Sequence, residues 1–74
     1  MKSKIVDQEQ HRLLAEYAHA AHYFADTVDR LQEQASNAEA FIEALEATGT
    51  AHRACERSRI QLTKYLAARM QRTQ

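Results

Sequence analysis

Ser36-Asn37-Ala38-Glu39 decides how this chain folds. Read locally, it is a helix start: a serine whose hydroxyl can accept from the backbone three residues on, and a glutamate that can reach back to it, as in a capping box. Read in register with its surroundings, the same stretch is the interior of one long helix. Leu14, Tyr17, Ala21, Phe24, Val28, Leu31, Ala35, Ala38, Ile42 and Leu45 alternate at spacings of three and four. That is five heptads with every seam position apolar. A break would have no reason to preserve the phase, so a continuous helix is the expectation.

The flanking signals set its ends. Asp7 with Gln10 three residues later supplies an N-cap. The one glycine of the chain, in Ala47-Thr48-Gly49-Thr50, supplies a C-terminal cap, after which Thr50 can open a second helix. The predicted fold is therefore an all-α antiparallel helical hairpin, with a first helix over about 7–47 and a shorter second helix over about 51–72. The second helix presents a thinner apolar face through Ala51, Ala54, Cys55, Ser58, Leu62, Tyr65, Leu66 and Met70. Composition agrees: 74 residues, 45% hydrophobic, no proline and one glycine suit one domain, 1–74, made of a few long helices.

Unequal helices imply an overhang. At about 1.5 Å per residue the first helix would be roughly 60 Å long and the second roughly 33 Å, leaving the region from Asp7 to Phe24 without an intramolecular partner. Leu13, Leu14, Tyr17, Ala21, Phe24 and Val28 would then form an oligomer interface, since a small domain without disulfides or metal commonly stabilises itself by association. A homodimer, most simply an antiparallel four-helix bundle with coiled-coil packing, or a higher even-numbered assembly, is expected.

Charge and cysteine usage narrow the function. Net charge is zero, so no overall field draws the chain to nucleic acid or to a membrane. From Ile5 to Thr50 nine acids face Arg12 and Arg30, leaving −7; from Ala51 onward six bases face Glu56, leaving +5; Lys2 and Lys4 supply the remainder. Two halves of opposite sign can neutralise each other. Cys55 is alone, which fits a reducing compartment. No apolar run approaches the roughly 18 residues of a membrane span, and the opening residues lack the apolar core of a signal peptide. A cytoplasmic location without membrane attachment is expected.

Glu16 to Asp26, EYAHAAHYFAD, is the stretch richest in chemistry. His19, His22 and Asp26 are spaced three and four apart, within about 60° of one another on a helix, as open-site ligands for Zn²⁺ or Fe²⁺ would be. Glu16-x-x-His19 matches the di-iron bundle spacing, yet both residues lie away from the apolar seam and no second such motif exists. No fourth ligand or supporting shell is evident, so the face reads as solvated, with no metal and no cofactor. His52 and Cys55 could pair as imidazole and thiolate, but nothing in the sequence would bind an oxyanion, and a small thiol in the seam is the better reading. The chain is expected not to be an enzyme.

Two interaction surfaces remain. Tyr23 and Phe41 lie off the seam, as does Ile60, and suit the binding of another protein by packed helices. Arg53, Arg57 and Lys64 form one basic stripe that could contact phosphates, with a steep loss on adding salt. The expected function is that of a small homo-oligomeric adaptor, chaperone-like subunit or accessory factor. The alternative is a nucleic-acid-binding regulator acting through the basic stripe, and a third reading is a metal-binding bundle.

Overall fold

A computed structural model describes the backbone of residues 2–72 and the side chains of residues 8–71. It contains two helices, α1 (Lys2–Glu33) and α2 (Ala38–Arg72), packed along their length as an antiparallel hairpin. The all-α hairpin is as expected; the position of its turn is not. The chain reverses at 34–37 rather than at Gly49, and the two helices have nearly equal lengths of 32 and 35 residues.

The local chemistry explains the turn. Asn37 is the N-cap of α2: its side-chain oxygen accepts from the Ala40 amide at 3.1 Å, and its carbonyl accepts the first helical bond from Phe41 at 2.8 Å. Asparagine and serine favour such capping over the helix interior because their short side chains compete for the backbone. Ahead of the cap, the Ala35 amide donates to the Gln32 carbonyl at 3.4 Å and the Asn37 amide to Gln34 at 3.1 Å. These are tight three-residue steps that tolerate ordinary side chains. Among the described residues no φ is positive, so the reversal needs no glycine. Arg30 in the last turn of α1 and Glu39 in the first turn of α2 complement the two helix dipoles that converge there.

Gly49, by contrast, is interior to α2. The hydroxyl of Thr50, expected to open a second helix, donates back along the same helix to Glu46 at 3.2 Å, as that of Thr48 does to Ala44 at 2.8 Å. One glycine inside a 35-residue helix costs only about 0.5–1 kcal/mol relative to alanine. At the other end α1 begins at Lys2, so Asp7 is within the helix and does not cap it; its side chain lies outside the described residues.

Packing follows a heptad on each helix that differs from the apolar stripe read in the sequence. The residues of α1 that face α2 are Gln10, Leu13, Tyr17, Ala20, Phe24, Thr27 and Leu31, all buried or half-buried. Those of α2 are Phe41, Ala44, Thr48, Ala51, Cys55, Ser58, Leu62 and Tyr65. The helices are pinned where the residues are small: Thr27 and Ala51 are the most buried side chains described, and the Thr48 hydroxyl also approaches the Thr27 carbonyl at 3.3 Å. Farther along, Phe24 packs on the His52 ring with centroids 5.2 Å apart, and Arg69 donates to Gln10 near the open end. The second helix therefore reaches back along nearly all of the first, and the expected overhang from Asp7 to Phe24 is covered.

Gly49 discriminates the two turn positions. Gly49→Ala is expected to stabilise the fold by about 0.5–1 kcal/mol in denaturant unfolding, since its added Cβ meets only the flexible Arg53 side chain at 3.8 Å. Asn37→Ala should lose about 1 kcal/mol through the cap. The opposite signs would place the turn at Gly49.

Candidate functional site

Two helices side by side form a layer, 54 × 20 × 11 Å overall, with two broad faces. Lettering each heptad a to g, with a at Tyr17 and Phe24 on α1 and at Cys55 and Leu62 on α2, places the e and b positions of both helices on one face and the g and c positions on the other. An open groove between Arg30 on α1 and Ala40, Glu43 and Ala47 on α2 lies on the g/c face. The two e/b stripes accordingly share the opposite face.

That e/b face carries most of the exposed apolar side chains, with Glu56 and Arg59 at the middle of its α2 half. Among the described residues the exposed large hydrophobic side chains number seven. Five of them occupy it: Leu14, Ile42, Leu45, Leu66 and Met70. On α1 a shallow groove runs along it between Leu14, Tyr17, Ala18, Ala21, His22 and Ala25. Burial inside the seam is lopsided in the same sense. The three buried side chains, Leu13, Thr27 and Ala51, are all d positions, which lean toward the g/c face. The larger Tyr17, Phe24, Phe41 and Leu62 are a positions, lean toward the apolar face, and are only half-buried. The hairpin thus leaves its greasier side open, where each square ångström removed from water would contribute roughly 25 cal/mol.

The residues expected to form an oligomer interface divide accordingly. Leu13, Tyr17 and Phe24 are used within the hairpin, whereas Leu14 is exposed and Ala21 and Val28 half-exposed on the apolar face. Of the two aromatics expected to meet another protein, Tyr23 is exposed on the g/c face, 51% accessible, while Phe41 is half-buried in the seam phase rather than directed away from it. Ile60 is exposed on the outer surface of α2.

Polar groups are arranged locally. Arg12 binds both oxygens of Glu9, at 2.6 and 3.1 Å, and Glu16 at 2.7 Å. Arg59 binds Glu56 at 2.9 Å. The hydrogen bond from each arginine, with its charge attraction, holds the Glu9 and Glu56 carboxyls below the usual carboxylate range, and the arginines are shifted up in return. A lowered carboxyl pKa contributes stability above the ordinary carboxylate pKa, lost as the pH falls through the lowered one. Such exposed pairs contribute little, and their use here is to mark where charge sits.

His19, His22 and Asp26 are all exposed, and among the described residues no group of three or more His, Cys, Asp or Glu side chains is placed to hold a metal ion. His22 instead borders the apolar groove. His52 rests on Phe24, and Cys55 is half-buried in the seam. Arg53, Arg57 and Lys64 share an exposed stripe on α2, Arg53 donating to the Thr50 hydroxyl at 3.3 Å. No described helix is long and apolar enough to cross a membrane.

Comparison with known proteins gives no match: no family model, no curated protein and no solved structure aligns with the chain.

The Glu56–Arg59 contact can be read directly. The Glu56 carboxyl should titrate below its ordinary value by NMR in the native protein and move up toward that value in Arg59→Gln. Superimposable titration curves would mean the pair is not held in solution.

Proposed function

We propose that the protein is a non-enzymatic interaction or regulatory protein that works as a homo-oligomer, with its apolar face turned inward and its polar surfaces presented to a protein partner. The observation that carries this reading is the gathering of Leu14, Ile42, Leu45, Leu66 and Met70 on one face of a hairpin whose own seam buries only Leu13 and Ala51 among apolar side chains described. Monomeric proteins seldom gather so many large exposed apolar side chains on one face, and small helical domains commonly cover such a face by association. Tyr23 and Ile60 lie off that face. An exposed aromatic ring and a branched aliphatic chain on helical surfaces are the usual anchors for a packed helical partner. A cytoplasmic setting belongs to the same reading, because a lone half-buried thiol at Cys55 suits a reducing compartment.

A second reading is favoured by one observation. Arg53, Arg57 and Lys64 are exposed, off the apolar face, and Arg57 and Lys64 make no ion pair among the described residues. In an oligomer the stripe would recur on each chain, as spaced basic ridges able to meet phosphates. Glu43 and Glu46 extend along the same side of α2 toward the turn and weaken its field, so this remains second.

Light scattering and binding assays separate the two readings. The 8.5 kDa chain is expected to weigh an even multiple of its mass at micromolar concentration, whereas a stable compact monomer would contradict self-association. A protein retained by the wild type and lost with Tyr23→Ala, at unchanged oligomeric mass, supports the interaction reading. Retardation of an oligonucleotide at low salt that disappears in the Arg53→Glu/Arg57→Glu/Lys64→Glu variant would replace it by the second.

A further inference from the structure

We infer that the apolar face is covered by the same face of a second copy, turned end for end about a two-fold axis that crosses α1 near Ala21 and α2 near Cys55 and Glu56. The inference rests on the self-association reading and specifies its geometry: α1 packs antiparallel on the partner's α1, and α2 antiparallel on the partner's α2.

A two-fold interface has to be self-complementary, because the same patch supplies both sides. On a helix pair crossing antiparallel about a two-fold, a residue some number of positions before the axis meets the residue that number after it. The e/b stripe of α1 reads Leu14, Ala18, Ala21, Ala25, Val28. Reversed about Ala21 it is unchanged in character: Leu14 comes opposite Val28, and Ala18 opposite Ala25 to within one position, so that small residues meet at the centre and branched ones at the ends. The groove lined by Ala18, Ala21 and Ala25 is where a second helix can approach closely.

The stripe of α2 has the same property about a different residue. Ile42 and Leu45 lie fourteen and eleven positions before Glu56, and Leu66 and Met70 lie ten and fourteen after it. Reversal about Glu56 sets Ile42 against Met70 and Leu45 against Leu66, with Gly49 against Thr63 between them. All four large side chains are exposed in the single hairpin, and each finds an apolar counterpart.

The two centres could have fallen at unrelated heights; they do not. The contacts of Phe24 with His52 and of Thr27 with Thr48 set the register of the hairpin, residue numbers on facing positions summing to about 75–76. Ala21 is therefore level with Ala54 and Cys55, one or two residues from Glu56. One axis satisfies both reversals to within one or two residues, which a partner of unrelated sequence would not require.

Charge and area agree with this occupant. The polar centre of the α2 stripe holds Glu56 and Arg59, already bonded at 2.9 Å. Two copies bring two carboxylates and two guanidinium groups together about the axis, a balanced cluster in which each arginine is within a helical turn of the other chain's glutamate. The face measures about 54 by 20 Å, enough for the roughly 800 Å² per partner of a standard stable interface.

Cysteine cross-linking tests the axis. In a Cys55→Ala background, Ala21→Cys puts a thiol next to its own symmetry mate, and mild oxidation should give a linked dimer roughly tenfold faster or more than Ala15→Cys on the outer surface of α1, because disulfide formation demands Cα atoms within about 7 Å. Glu56→Arg, which gathers four like charges at the axis, should raise the dimer dissociation constant on the order of a hundredfold, and Glu56→Arg/Arg59→Glu should recover most of the loss. A protein that remains dimeric by light scattering while Ala21→Cys links no faster than Ala15→Cys would overturn this arrangement and leave self-association standing. A monomeric mass for the wild type would overturn both.

Discussion

The seam between α1 and α2 is one layer of side chains deep, and the behaviour of the molecule depends on that fact. Two cylinders in contact enclose a line rather than a volume, so a residue can be covered on its inner side and still face water on the other. Among the described residues only small or favourably leaning ones, Leu13, Thr27 and Ala51, are buried. Tyr17 and Phe24, which carry far more apolar surface, are half-open. Fixing the backbone of an ordered residue costs roughly 1–2 kcal/mol, and so shallow a seam sets little against it, which is the physical ground for proposing that the open face is covered.

This constraint also accounts for which parts of the fold were legible in the sequence. Helix content was plain from composition and periodicity, and so was the hairpin. The turn was misplaced because two stripes compete in α1. The apolar one running through Leu14, Ala21 and Val28 is continuous in phase with Ala35, Ala38, Ile42 and Leu45. Its unbroken phase reads as the seam of one long helix. In the folded chain that stripe runs across the turn along the e/b face of both helices, sharing only Tyr17, Phe24 and Leu31 with the true seam. The seam itself was camouflaged, since Gln10, Thr27, Thr48 and Ser58 occupy inner positions and break the apolar pattern by which seams are recognised. The Thr27 and Thr48 hydroxyls escape the penalty for burial by bonding back to Phe24 and Ala44 within their own helices.

The capping signal at Ser36 to Glu39 was present all along, one residue from its true frame. Asn37 rather than Ser36 is the cap, with Ala40 rather than Glu39 receiving its side chain. Local capping chemistry prevailed over a glycine at 49 because a glycine permits a turn without requiring one, whereas a capped break lets α2 grow long enough to cover α1. The interface residues were partly legible for a related reason. The overhang expected to use Leu14, Ala21 and Val28 is absent, yet all three lie on the open face. Phe41 could not be placed while the turn was misplaced, since moving the turn rotates its assignment from outer surface to seam.

Self-association through the apolar face is the central proposal, and unfolding at two protein concentrations tests it most directly. Chemical denaturation followed by circular dichroism at about 1 and 100 μM should give midpoints that rise with concentration, as mass action requires when association supplies the missing core. Coincident curves with a single cooperative transition would show that the hairpin stands alone, and would remove the reason for covering its apolar face.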